Sequence, residues 1–129
     1  MAPLTKAPTE GDLLKFDLNN NFTREGVTLL AGTNYALGAV VGQVTASGKF
    51  TLSPAASTTG IEGAETVSGV LIAAVDATDG DASGVIIRRG PAIVSKAVLA
   101  YHASVDTAAE IAAKQASLSL IGIVARDAA

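Results

Sequence analysis

Short apolar runs rich in β-branched residues recur along this chain, and glycine or a polar turn interrupts each before it grows long. "GVTLLAG", "AVVGQVT" and "KFTLSP", all within residues 26–54, are short and rich in β-branched residues, which predicts closely spaced strands. "ASGK" between the last two reads as a hairpin turn in which Gly48 takes a positive φ. "GVLIAAVDA" and "SGVIIRRGPAIVSKAVL" predict further strands on either side of the acidic turn "DATDGDASG", and "LSLIGIVAR" predicts a closing one. Upstream, Leu14, Phe16 and Leu18 occupy alternate positions with Lys15 and Asp17 between them. They predict a short strand outside the main body, stopped by Asn19 to Asn21. One helix is expected: Thr107 and Glu110 make a T-x-x-E capping box, Glu110 and Lys114 stand at i and i+4, and "AAEIAAKQA" consists of strong helix formers. The stretch from Ser53 to Ser68 is a polar connection. Met1 to about Gly11, with Pro3 and Pro8 and no apolar period, is expected to be a mobile arm. Short strands at near-regular spacing predict a mainly β domain, a small barrel or sandwich.

Composition narrows the kind of core. The 129 residues are 49% hydrophobic, yet include three Phe, two Tyr and no Trp. Small side chains remove less area from water, at roughly 25 cal/mol per Å². A single subunit is therefore expected to be modestly stable, with subunit contacts as a supplement. The formal charge is −3, and the nine Lys and Arg are dispersed, so no nucleic-acid footprint is expected. Cysteine is absent, which excludes disulfides and thiolate chemistry. No apolar run approaches the ~18 residues of a membrane helix, and "MAPLTKAPTEGDLLKF" lacks a signal peptide's apolar middle. No membrane partner is expected, and synthesis is expected in a cytoplasm.

Candidate chemistry is sparse. His102, the single histidine, has Tyr101 beside it and Asp106 four residues on, but no nucleophile in convergent spacing; it reads as a surface or interface residue. Asp76, Asp79 and Asp81 invite a calcium reading. A calcium loop needs a bidentate Glu at its twelfth position, however, and here that position is Ile87, so a strand turn is expected instead. Gly38 and Gly42 fit no phosphate loop, and Ser83 directly before Gly84 breaks the nucleophile-elbow spacing. Arg88 and Arg89 are the one basic pair. Strand alternation would send them to opposite faces, either solvated or paired with a carboxylate of a neighbouring subunit. No enzyme, metal or cofactor is expected.

The order of features then carries the signal. "FTREGVTLLAG", "ALGAVVGQVTASGKF", "GAETVSGVLIAAVDAT", "VIIRRGPAIVSKAVL" and "LSLIGIVA" together resemble the head decoration proteins of tailed bacteriophages, the lambda decoration group, over most of the chain from about Phe16. The resemblance implies a small β-barrel or β-sandwich-like domain of β-tulip type, with one short helix near the C-terminus and an extended N-terminal arm. It divides the chain into an arm at 1–22 and a trimer-forming domain at 23–129. It further implies a homotrimer on the outer surface of the expanded capsid at local threefold sites, its arm added as a strand to the major capsid protein. Leu4, Leu13, Leu14, Phe16 and Leu18 would be the capsid-binding arm residues. Ala39, Val40, Val41, Arg88, Arg89 and His102 would be trimer-interface candidates. The alternative is a trimeric receptor- or glycan-binding module of a virion or cell surface, working through the loop at 53–68.

Overall fold

The computed structural model describes residues 10–127. Ten strands, β1 (Leu14–Asp17), β2 (Arg24–Leu29), β3 (Asn34–Tyr35), β4 (Val40–Gln43), β5 (Phe50–Leu52), β6 (Val67–Leu71), β7 (Val75–Asp76), β8 (Ala82–Ile87), β9 (Ala92–Ser95) and β10 (Ile123–Arg126), are joined by three α-helices and a 3₁₀ turn at Lys96–Val98. Two helices are single turns, α1 (Glu10–Leu13) and α2 (Asn20–Thr23); the third, α3 (Ala108–Leu120), is the helix anticipated near the C-terminus. The fold is mainly β, as the strand pattern predicts.

Five strands close a ring in the order β2-β5-β4-β6-β8. β2 and β8 pair antiparallel over their whole length, from Arg24↔Ile87 to Leu29↔Ala82. The β4–β5 hairpin turns at Gly48, whose φ of 73° is open to glycine without strain. β5 returns to β2 through a single parallel pair, Leu29↔Phe50. That seam has the fewest ladder pairs of the ring.

The ring encloses one core, Leu29, Tyr35, Val41, Phe50, Leu71 and Ile86, with Ala39 and Ala77 filling the narrow places. The outside of the same wall makes a second core: Val40, Val70 and Ile87 pack against Leu118 of α3 and against Val94 and Ile123 of a three-stranded sheet ordered β1-β9-β10. Successive residues of a strand point to opposite faces, so Val40 and Val41 serve different cores. All five residues of β6 are buried for this reason. Gly42 is required by close approach: a Cβ there would collide with the Ala64 and Thr66 carbonyl oxygens.

Two expectations are corrected here. "LSLIGIVAR" is not one strand. The helix runs on to Leu120, because Leu118, one turn beyond Lys114, continues its buried face, and Gly122 at φ 85° ends it by a Ile121 and Gly122 backbone return to Leu118 and Ser119. The stretch around Leu13 and Leu14 does not lie outside the body either. Leu13 is fully buried in the second core, Leu14 packs on that core, and β1 pairs antiparallel with β9 through a bulge between Leu14 and Phe16. A knot at the end of β1 holds this arrangement. Asp17 Oδ2 lies 2.8 Å from Thr23 Oγ1 and 3.2 Å from Arg24 Nε, and the Thr23 carbonyl accepts from Arg88 N at 2.7 Å. Leu4 lies outside the described residues.

Leu13→Ala is expected to lower unfolding stability by about 2–5 kcal/mol in a denaturant titration, the usual result of emptying a core leucine site. A residue in a free tail would leave the midpoint unchanged.

Candidate interaction surfaces

The polar loop is held by a side chain that faces the interior. Lys114 of α3 is 5% exposed, and its Nζ donates to Ser53 Oγ at 2.8 Å, Pro54 O at 2.6 Å and Glu65 O at 2.9 Å. One ammonium thus satisfies acceptors at both ends of the connection between β5 and β6. Burial pulls its pKa below the ordinary lysine range, with the Glu65 carboxylate pulling partly back. The expected Glu110–Lys114 surface pair is therefore replaced: Glu110 turns to its capping box, accepting from Thr107 N at 3.2 Å while Thr107 Oγ1 accepts from Glu110 N. A lysine in an alanine-rich helix gives no sequence signal for this role, because the acceptors come from residues 49 to 61 positions away.

The acidic turn is internal structure. Asp76 accepts from Thr78 N at 3.0 Å, and Asp81 accepts from Ala31 N at 2.8 Å and pairs with Lys49. Asp81 thereby ties the tip of the β4–β5 hairpin to the turn before β8. These bonds hold both carboxyls below their ordinary value of 3.8, Thr78 acting on Asp76 and Lys49 with Ala31 N on Asp81. Among the described residues no group of three or more His, Asp and Glu is arranged to hold a metal ion. His102 Nδ1 receives the Ser104 N–H at 3.0 Å and lies 2.8 Å from Ser104 Oγ, which in turn accepts from Ala55 N at 2.9 Å. Through these bonds the histidine organises its own turn.

The arginine pair does not alternate, since β8 ends at Ile87 and both side chains reach the same carboxylate. Arg88 Nε is 3.2 Å and Arg89 Nη2 3.6 Å from Glu25 Oε2. Arg88 also donates to Ser68 O at 3.0 Å and stands over the Phe50 ring; Arg89 donates to Phe22 O at 2.6 Å and stands over the Phe22 ring. The carboxylate partner belongs to the same chain. Ala39, Val40 and Val41 are likewise internal, at 0%, 1% and 0% exposure, so they line the two cores of one subunit and present no surface to another.

Three open depressions mark the surface of the described residues. Between β2, the β4–β5 turn and β8 there is a cleft of about 700 Å³, bordered by Gly26, Thr28, Gln43, Gly48, Lys49 and Arg88. Around α2, Leu18 and Phe22 stand out at 61% and 53% with Asn19 and Asn21 between them. A groove of about 530 Å³ runs over the β1-β9-β10 sheet, bordered by Lys15, Ile93, Val94, Arg126 and Asp127. Of the arm residues anticipated, Phe16 (45%) and Leu18 are exposed, Leu14 is half-buried and Leu13 is fully buried. Phe22, Ile93 and Val124 carry the same apolar character but give a weak signal in the sequence, where outward-facing and inward-facing apolar strand residues look alike.

The domain is small and mainly β, many of its charged groups are engaged by its own loops, and its exposed large apolar side chains are Phe16, Leu18, Phe22, Val85, Leu120 and Val124 among the described residues. The sequence profile of the bacteriophage lambda head decoration protein D family matches residues 3–123, and the chain belongs to that family. It is a head decoration protein, a structural component of the phage capsid. No curated protein sequence matches it significantly.

Lys114→Met removes three hydrogen bonds to buried or half-buried acceptors. It is expected to cost about 2–4 kcal/mol and to speed amide exchange across residues 53–66, read by hydrogen–deuterium exchange. Asp81 has a folded-state pKa below its unfolded one, so its contribution is complete above the unfolded value and is lost as pH falls through the folded one. In acid titrations below about pH 4, Asp81→Asn is expected to flatten that part of the stability curve.

Proposed function

We propose that this protein cements the expanded phage head: three copies associate at local threefold sites on the outer surface, and residues 1–9 of each add a strand to the major capsid protein. The observation that carries the reading is the family match over residues 3–123. Three features of the chain support it. The segment upstream of α1 holds Pro3 and Pro8, and between them Leu4 to Ala7 is a four-residue run in which every residue has a main-chain N–H to give. Added-strand binding needs just such a run, with alternate side chains such as Leu4 for pockets. β1, the strand nearest that segment, is an edge strand rather than an interior one. Multiplying the attachment by three raises its effective concentration, so individually weak strands act as a staple against internal pressure. Arg88, Arg89 and His102, which reach the surface, are the proposed contributions to subunit contacts.

The burial of Leu13 sets the proper truncation. Removing residues 1–18 would take a core leucine and all of β1, whereas removing 1–9 leaves every described contact in place. The shortened protein is expected to remain a trimer by multi-angle light scattering and to lose binding to expanded heads made without the protein. Full decoration by the shortened form would refute the role of the arm.

A further inference from the structure

An aspartate or asparagine is followed by glycine at one place in this chain, Asp79–Gly80; every other Asp and Asn precedes a residue with a Cβ. The dipeptide lies in the turn between β7 and β8, and its neighbours are held on both sides. Upstream, Ala77 N donates to Thr33 O at 3.0 Å, Ala77 O accepts from Gly32 N at 2.8 Å, and the Asp76 carboxylate accepts from Thr78 N. Downstream, the Asp81 carboxylate accepts from Ala31 N and pairs with Lys49. Asp79 and Gly80 are suspended between these anchors. Both are exposed, and among the described residues neither the Asp79 carboxylate nor the Gly80 N–H has a hydrogen-bond or ion-pair partner.

We propose that Asp79–Gly80 is a site of spontaneous backbone modification, where the folded protein converts aspartate into isoaspartate. The Gly80 backbone nitrogen attacks Asp79 Cγ. A C–N bond forms, a carboxyl C–O bond breaks, and that oxygen leaves as water, carrying the amide proton and one proton from solvent. The product is a five-membered succinimide, which water reopens at either carbonyl. Cleavage of the new Cγ–N bond restores aspartate, whereas cleavage of the original peptide bond leaves the chain running through Cβ and Cγ. One water leaves and one returns, so no oxidant, reductant or cofactor is required.

Three restraints ordinarily oppose this ring closure: a Cβ on the following residue that crowds the ring, a hydrogen bond that occupies its N–H, and a partner that holds the carboxylate. All three are missing at Asp79. Asp76 and Asp81 are each followed by alanine, and their carboxylates are engaged. The extra backbone carbon enters between the anchors, so the Asp81 tie to the β4–β5 hairpin lies outside the altered segment. The modification concerns the ageing of the protein and is independent of the decoration function.

The test compares the full-length protein with Asp79→Glu, which must close a slower six-membered ring, and Gly80→Ala. The alanine variant is expected to keep the fold, because a Cβ at Gly80 meets nothing within 4 Å and its φ lies outside the left-handed region. Each protein is checked by circular dichroism, incubated at physiological temperature and pH, and treated with protein L-isoaspartate methyltransferase and a labelled methyl donor. Peptide mass spectrometry then locates the label. Wild-type protein is expected to accumulate label in the peptide spanning Asp79–Gly80, with a transient species lighter by one water, and both variants to lose it. A parallel incubation in urea gives the rate without the fold, and a comparable rate in buffer is expected. Absence of label in aged wild-type protein, undiminished label in Gly80→Ala, equal labelling at Asp76 or Asp81, or accumulation in urea alone overturns the inference.

Discussion

The wall formed by β4, β6 and the end of β8 at Ile86 and Ile87 is dry on both faces, and much else follows from that. Its inner face closes around Tyr35, Phe50 and Leu71, and its outer face meets α3 and the β1-β9-β10 sheet. A strand buried on both sides has no room for polar alternation, so β6 reads Val-Ser-Gly-Val-Leu and is wholly buried. Two thin cores sharing one wall also favour small side chains. Alanine and valine fit where a tryptophan would force the layers apart, which gives the low aromatic content a structural cause.

The same constraint explains which parts were legible in the sequence. Local signals survived intact: the Thr107–Glu110 capping box, the Gly48 hairpin and the strand character of the central segments are each written within a few residues. Signals that depend on the second core were not. Val40 and Val41 look like a greasy surface ready for a partner because a sequence does not say how many layers a strand lies between. The alternation of Leu14, Phe16 and Leu18 predicts a shared face, but the bulge after Leu14 rotates the strand, sending Leu14 inward and Phe16 outward. Leu13, which the alternation leaves out, is the residue that reaches the core.

Polar residues follow a related logic. The expected solvent-facing charges are largely absorbed into the chain's own architecture. Glu25 gathers both arginines, Asp81 joins two turns through Lys49 and Ala31, and Lys114 serves three oxygens from the loop before β6. Among the described residues, no buried side-chain nitrogen or oxygen lacks a partner.

The burial of Leu13 also has a mechanical meaning. Tension transmitted along the segment upstream of α1 arrives first at a side chain locked among Val94, Leu99 and Leu118, and next at the β1–β9 ladder, with the Asp17–Thr23–Arg24 knot behind it. Such a segment is rooted: a pull on it would be shared by the interior instead of peeling a loose end from the surface.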